Sequence, residues 1–224
     1  MFKKEYLFSS PFFTVYIDPS SYDKESIIKT VIDNYEKSPV RNKWEDYETG
    51  DLGYTNIHHY YDDWENPDFV KPDLTSLLKV YDKVWEQFCT TEIKFKADVN
   101  YTYDIQNITV CKNHDNKMKL HNHYYDNIYF AAVHYISCDE KSHKLSFYNN
   151  TPWFEYAPHK LLKNIIPILD NNSIDNSTYF RHWNYSPVED YMVIFPSYLN
   201  HDIISTGVEL QKHRIAIVTN FKID

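Results

Sequence analysis

From about Ile93 onward the chain is a series of short apolar runs separated by polar turns, and this pattern restricts the fold more than any other feature. Many short strands with few helices indicate a sandwich or a barrel. The 21 tyrosines favour strands as well, because half-buried rings pack well on a pleated surface. We therefore predict strands at residues 105–111, 117–120, 128–136, 144–148, 191–195, 202–204 and 214–221.

The N-terminal part of the chain predicts two helices in addition to a strand at residues 12–17. Residues 22–37 carry apolar side chains at helical spacing and follow Ser21, which can cap a helix. A second amphipathic helix is predicted to start after Asp73, its expected cap. We expect the apolar faces of both helices to pack against a sheet, which gives a mainly β fold with flanking helices.

Size and charge limit the possible function classes. The 224 residues fit one domain, with residues 1–100 as a support region and residues 101–224 as the core. The net charge of −9 argues against a nucleic-acid partner, which needs a basic face. No run approaches the roughly 18 apolar residues of a membrane span, and no signal peptide is recognisable, so we expect a cytoplasmic protein. The scattered Cys89, Cys111 and Cys138 fit buried small hydrophobes in a reducing compartment.

Three of the eleven histidines stand out by their context. His121 and His123 are two residues apart, so in an extended chain both imidazoles point to the same face and could bind one ion. His201 lies 78 positions beyond His123, at the end of the segment that runs from Phe195 to His201. The three side chains are candidate ligands of a metal ion.

Arg214 opens the apolar strand at residues 214–221. Strand alternation puts it on the face of Ala216 and Val218, opposite Ile215 and Ile217. An arginine that enters a β core must find an anion, because an unpaired buried charge is too costly. Its planar fork matches a carboxylate with two parallel hydrogen bonds.

These pieces, in this order, resemble the 2-oxoglutarate/iron(II) oxygenase superfamily. More narrowly, they resemble a group of such oxygenases common in bacteriophages and marine bacteria, with His-x-His, Phe-Pro-Ser-x-x-x-His and a terminal Arg-x-Ser-x-x-x-Asn strand. The matching segments here are residues 121–123 with 133–136, then 195–201, then 214–220. The resemblance suggests a viral or bacterial origin, and for a viral protein a location in the host cytoplasm.

The resemblance implies a double-stranded β-helix (a jelly roll, or cupin-like fold) and an Fe(II)- and 2-oxoglutarate-dependent dioxygenase, with hydroxylation as the default outcome. His121 and His201 would bind iron, and Arg214 would hold the distal carboxylate of 2-oxoglutarate. The cofactors would be Fe(II) and the co-substrate 2-oxoglutarate. The substrate, a small molecule or a peptide, and the oligomeric state are not specified. Further candidates for contact with 2-oxoglutarate are Asn220, Asn107 and Tyr103.

The third iron ligand is left open between two residues. The superfamily usually has a carboxylate two positions after the first histidine, and this chain has His123 there. Either the site uses three histidines, or a nearby carboxylate such as Asp126 replaces the usual one. We favour His123, because Asp126 has the wrong offset for the same strand face. Ala216 also replaces the common serine of the terminal motif.

Two other functions fit parts of the pattern. A His-x-His pair with a distant third histidine also occurs in zinc enzymes without redox chemistry, although such a site needs no carboxylate-binding Arg214. Alternatively, the chain could be a metal-free jelly-roll binding module that uses its many exposed aromatic rings to hold sugar or protein. Metal identity and dependence on 2-oxoglutarate distinguish the three functions.

Overall fold

A computed structural model describes residues 2–7, 10–37, 55–57, 70–96, 99–111, 118–124, 127–148, 182–204, 206–208 and 210–223. The structure described in these ranges is mainly β. Its strands are β1 Phe2–Leu7, β2 Ser10–Tyr16, β3 Thr55–Ile57, β4 Tyr101–Cys111, β5 Met118–His121, β6 Ile128–Ser137, β7 Lys144–Tyr148, β8 His182–Tyr185, β9 Tyr191–Pro196, β10 His201–Ile204 and β11 Arg214–Ile223. Its helices are α1 Lys24–Lys37 and α2 Thr75–Gln87, with a 3-10 turn at Pro19–Ser21 and a π-helical turn at Phe88–Ile93.

The strands form two antiparallel sheets. The larger sheet has the order β1-β2-β9-β6-β11-β4-β3, and the smaller has the order β5-β10-β7-β8. Apart from β1 with β2, β3 with β4 and β7 with β8, neighbouring strands are not consecutive in the chain, because the chain crosses from one sheet to the other several times between β4 and β11. The described part of the chain thus confirms the prediction of a mainly β fold with flanking helices.

One apolar core lies between the two helices and the larger sheet. Trp85 of α2 is fully buried, and its ring stacks on that of Phe221 at 4.8 Å between centroids. Ile215 and Ile217 of β11 belong to the same core, together with Ile27 of α1. The predicted apolar faces of both helices therefore do pack against a sheet.

A second core fills the space between the two sheets. Phe147 of the smaller sheet contacts Phe12 and Phe195 of the larger one, with ring centroids 5.4 and 4.8 Å away. Ala216 of β11 belongs to this core. Strand β11 therefore serves both cores from its two faces, as its alternation predicts.

The seven strands predicted beyond residue 100 all occur, with ends shifted by up to four residues. Strands β1, β3 and β8 were not predicted, because β1 carries three charges, β3 has three residues, and β8 reads His-Trp-Asn-Tyr. Leu74 occupies the cap position of α2, one residue after the predicted cap Asp73, whose side chain still accepts a hydrogen bond from the Thr75 backbone N–H over 2.9 Å. The prediction for Ser21 was wrong, because the chain first makes a 3-10 turn capped by Asp18.

The structure bears on two further expectations, which concern the cysteines and membrane-spanning helices. All three cysteines are buried and free, in agreement with the expectation of small buried hydrophobes. No helix in the described part of the chain is long and apolar enough to cross a membrane. The division into a support region and a core within one domain stays a prediction.

A buried hydrogen bond joins α2 to the larger sheet. The Tyr81 hydroxyl lies 2.8 Å from Nδ1 of His134 on β6, and both residues are fully buried. Burial, aided by the positive charge of Lys24, lowers the pKa of His134 to about 3. The imidazole is therefore neutral at physiological pH, and the hydroxyl is its partner from the helix.

We expect Tyr81→Phe to lower the free energy of unfolding by about 1–3 kcal/mol, because it leaves Nδ1 of His134 buried without its partner. Urea denaturation of the apoprotein measures the change. Tyr16→Phe is the matched control, since Tyr16 is 51% exposed and its hydroxyl can bond to water. We expect the control to change stability by less than about 0.5 kcal/mol. Equal free energies of unfolding for the two variants would show that the buried bond does not stabilise the contact between helix and sheet.

Candidate metal centre

The antiparallel pairing of β5 with β10 brings the histidines together. His121 is the direct partner of His201 in this ladder, and His123 follows two residues after β5 ends. One ring nitrogen from each of the three side chains lies within 4.8 Å of the others. Two segments 78 positions apart in sequence thus converge on a point that one ion can occupy.

Burial shields the centre from water. His123 is 4% exposed and His201 is 3% exposed, whereas His121 is partly open. The ring of His201 lies 4.2 Å from that of His121 and 5.1 Å from that of His123, measured between centroids. Phe195 contacts the ring of His201, with a centroid separation of 4.9 Å. His121 therefore marks the side from which solvent reaches the centre.

Burial also keeps two of the imidazoles, those of His123 and His201, neutral. It lowers the pKa of His123 to about 3, and the neighbouring His121 contributes to the shift. The pKa of His201 is lowered in the same way, first by burial and then by the two other imidazoles. Neutral imidazole is the form that binds metal ions.

A backbone carbonyl selects the donor atom of His201. Nδ1 of His201 lies 2.9 Å from the carbonyl oxygen of Leu199. A carbonyl can only accept, so Nδ1 carries the proton and Nε2 keeps a lone pair for an ion. The Leu199 carbonyl is the kind of outer partner that orients metal-binding histidines.

A cavity between the sheets extends from the histidines to Arg214. Arg214 is 1% exposed, and its guanidinium carbon lies 5.0 Å from the centroid of the Tyr135 ring. Tyr135 is fully buried, and burial raises the pKa of its hydroxyl to about 12, although Arg214 acts in the opposite direction. The hydroxyl therefore stays protonated and can donate a hydrogen bond. The described lining residues are Gln106, Asn107, Thr109, His121, His123, Val133, Tyr135, Leu145, His201, Ile203, Arg214, Ala216 and Val218.

A β-bulge in β4 shapes the cavity wall. Val218 pairs with Asn107, and the next residue, Thr219, pairs with Ile105, so Gln106 is the extra residue. Both Gln106 and the neighbouring Asn107 line the cavity as a result. The side-chain oxygen of Asn107 is buried with no hydrogen-bond partner among the described residues. An acceptor in that position can receive a bond from a ligand or a water molecule.

The structure brings five of the predicted site residues to one cavity: His121, His123, His201, Arg214 and Asn107. Two other candidates, Asn220 and Tyr103, are not among the described lining residues. Asn220 is buried beside His123, and hydrogen bonding between them partly offsets the lowered pKa of that imidazole. Tyr103 points to the helices, where its hydroxyl donates to Asp82 over 2.6 Å. Asp126 lies outside the described residues.

Several residues that line the cavity were not predicted from the sequence. Tyr135 lies in a predicted strand and has the same parity as Val133, so alternation alone could have placed it in the cavity. Gln106 has no such signal, because only the bulge turns it inward. Thr109 lines the cavity from the same strand.

Comparison with protein-family models gives one match. Residues 108–220, half of the chain, match the family described as "Putative 2OG-Fe(II) oxygenase". The matched segment includes the three histidines and Arg214. No curated protein matches the chain.

Solved structures with similar folds are distant in sequence. A prolyl hydroxylase from Trichoplax adhaerens, in complex with a hypoxia inducible factor peptide fragment, is 11% identical with a TM-score of 0.54, covering 94% of this chain and 83% of that one. A prolyl-4-hydroxylase from Pseudomonas putida is 11% identical with a TM-score of 0.51, covering 99% and 91%. HygX from Streptomyces hygroscopicus, with nickel and 2-oxoglutarate bound, is 11% identical with a TM-score of 0.53, covering 95% and 83%. At this identity the likeness concerns the fold, and it confirms the double-stranded β-helix.

The lowered pKa values predict how metal binding depends on pH. Three imidazoles with an ordinary pKa of about 6.5 would lose roughly 70-fold in affinity between pH 8 and pH 6, because protons compete at each ligand. In this chain protons compete with the ion at His123 and His201 only at lower pH. We therefore expect the Mn(II) affinity to fall by less than about fivefold over this range. Loss of the free Mn(II) signal in electron paramagnetic resonance measures the affinity at each pH. A fall in affinity of roughly 70-fold would show that the imidazoles of the metal-free site titrate with their ordinary pKa.

Proposed function

The chain belongs to the 2OG-Fe(II) oxygenase family whose model it matches, and from this membership we propose which of its residues bind the cofactors. The enzyme is an Fe(II)- and 2-oxoglutarate-dependent oxygenase. Of the three functions that the sequence left open, this activity is therefore preferred to the zinc enzyme and to the metal-free binding module. The single observation that carries the residue assignment is the convergence of three imidazoles in a cavity that ends at a buried arginine.

Iron is held by His121, His123 and His201. Three imidazole nitrogen donors suit first-row divalent ions, and three protein ligands leave positions open for a bidentate co-substrate and for dioxygen. The observation that supports this set is the separation of the donor atoms, all within 4.8 Å of one another. His123 is preferred to Asp126 as the third ligand, because it is part of this cluster.

The co-substrate is held at the other end of the cavity. The Arg214 guanidinium binds the distal carboxylate of 2-oxoglutarate through two parallel hydrogen bonds. The Tyr135 hydroxyl donates to the same carboxylate, since it lies beneath Arg214 in the same cavity. Asn107, with its buried side-chain oxygen, lies on the wall between the two ends. Tyr103 is left out of the proposed site because it faces the helices.

When bound, iron and 2-oxoglutarate supply the chemistry, in which dioxygen is used to convert 2-oxoglutarate to succinate and carbon dioxide and to oxidise the substrate. The protein orients the reactants and excludes water. Val133, Leu145 and Ile203 give the cavity apolar walls, which strengthen the attraction between Arg214 and a carboxylate. Asn220 holds the imidazole of His123 from the side.

We extend the proposal to hydroxylation of a C–H bond in a small molecule or a peptide. A peptidyl substrate has one point of support, because the Trichoplax adhaerens protein of similar fold is a prolyl hydroxylase in complex with a peptide. The partly open His121 marks the direction from which a substrate would reach the metal. A cytoplasmic location and a viral or bacterial origin stay predictions.

Anaerobic titration with Fe(II) and then 2-oxoglutarate tests the proposed function. We expect one Fe(II) per chain and a visible metal-to-ligand charge-transfer band when 2-oxoglutarate is added. His201→Ala should abolish both, because two ligands do not retain the ion at micromolar concentrations. His213→Ala is the control, since His213 packs on the Tyr35 ring away from the cavity lining. Retention of stoichiometric iron in His201→Ala would contradict the ligand assignment.

Arg214→Ala tests the co-substrate end of the cavity. We expect the affinity for 2-oxoglutarate to fall by about 30-fold or more, as is usual when one partner of a buried charge pair is removed, while Fe(II) affinity is retained. Titration of the charge-transfer band with 2-oxoglutarate measures the first affinity, and anaerobic equilibrium dialysis against Fe(II) alone measures the second. Lys212→Ala removes a nearby cation that pairs with Glu189 outside the cavity, and it should leave the affinity unchanged. Equal affinities in the two variants would remove Arg214 from the proposed role.

A further inference from the structure

Two asparagines beside the histidines are joined side chain to side chain. Asn122 lies between His121 and His123, and Asn200 directly precedes His201. The Asn122 side-chain N–H donates to the side-chain oxygen of Asn200 over 2.9 Å. The bond therefore connects the two segments that carry the histidines, next to the imidazoles themselves.

Backbone hydrogen bonds hold both ends of this connection. The Tyr124 N–H donates to the side-chain oxygen of Asn122 over 3.2 Å, which fixes the amide of Asn122 from the other side. The backbone oxygen of Asn200 accepts from the Tyr148 N–H over 2.8 Å, so Asn200 is fixed to strand β7. The side chain of Asn122 and the backbone of Asn200 are thus each fixed by a second contact.

The strand ladder gives less support at this point than elsewhere. Strand β5 ends at His121, so the pair of His121 with His201 is the last of its ladder with β10 before Asn122. His123 lies beyond the ladder, where its backbone N–H donates to the Ser197 oxygen over 2.8 Å. A cross-connection at Asn122 is therefore placed where the regular sheet no longer fixes the distance between the two segments.

We propose that the Asn122–Asn200 bond is a clamp that fixes the separation of His123 and His201 and so raises the affinity for a divalent metal ion. Both asparagines are positioning residues, which act on the metal through the histidines. Partners that hydrogen-bond metal ligands directly commonly contribute about 10–100-fold in affinity, and this bond acts on the backbone beside the ligands, which places its contribution near the lower end, about 10-fold. The inference rests on the proposed function, since it takes the three histidines as the metal ligands.

Mn(II) binding by Asn122→Ala, Asn200→Ala and the double variant tests the clamp. We expect each single variant to weaken Mn(II) binding by about 10-fold or more, and the double variant to be no weaker than the worse single variant within about threefold. Such non-additivity is the mark of one shared bond. Single variants that bind within twofold of wild type, or a double variant that shows the product of both losses, would overturn the clamp.

Two controls separate positioning from general destabilisation. Asn184→Ala removes an exposed asparagine of β8 and should alter neither Mn(II) affinity nor the apoprotein melting temperature. Asn200→Asp keeps an acceptor for the Asn122 N–H. We expect its Mn(II) affinity to be no more than about threefold below that of wild type. This comparison applies even if Asn122→Ala fails to fold. An Asn200→Asp variant as weak as Asn200→Ala would overturn the clamp. A wild-type protein without Mn(II) binding would overturn the proposed function, and the clamp with it.

Discussion

The candidate site depends on one strand pairing, the antiparallel match of His121 on β5 with His201 on β10. Side chains alternate along a strand, so a slip of one residue in this register would turn one imidazole away from the other. The packing of Phe147 and Phe195 around His201 favours the observed register, because the slipped one would expose apolar rings. The apolar core between the sheets therefore fixes the geometry of the polar centre at its edge.

Strand β11 connects the stability of the fold to the site. Its face toward the helices packs Ile215, Ile217 and Phe221 around Trp85, and its other face presents Arg214 to the cavity. Eight consecutive residues of this strand, Ile215 to Lys222, pair with β6 on one side, and β4 pairs with its other side. A buried arginine is costly, and here Arg214 pairs with Cys111 of β4 and its guanidinium lies over the Tyr135 ring. The rigid strand thus presents the charge at a fixed distance from the histidines.

Much of this arrangement could be predicted from sequence, because it follows from alternation. Strand periodicity put His121 and His123 on one face and Arg214 on the face of Ala216. The same rule failed for Tyr103, which strict alternation puts on the face of Asn107. The bulge at Gln106 lies between them and reverses the parity, so Asn107 faces the cavity and Tyr103 faces α2. A bulge of one residue has no clear signal in a single sequence, and neither has a long-range contact such as the one between Asn122 and Asn200.

The imidazole at position 123 has a physical consequence for the protein without metal. A carboxylate at a position that is 4% exposed would be buried as a charge, and its desolvation would oppose folding until a cation arrived. An imidazole avoids this penalty by staying neutral, as the lowered pKa values of His123 and His201 indicate. The two buried neutral rings can therefore lie close to each other and to His121 before any ion binds. Because the donors are already deprotonated and in place, binding the ion requires neither the release of a proton from these two rings nor a rearrangement of the two segments that carry them.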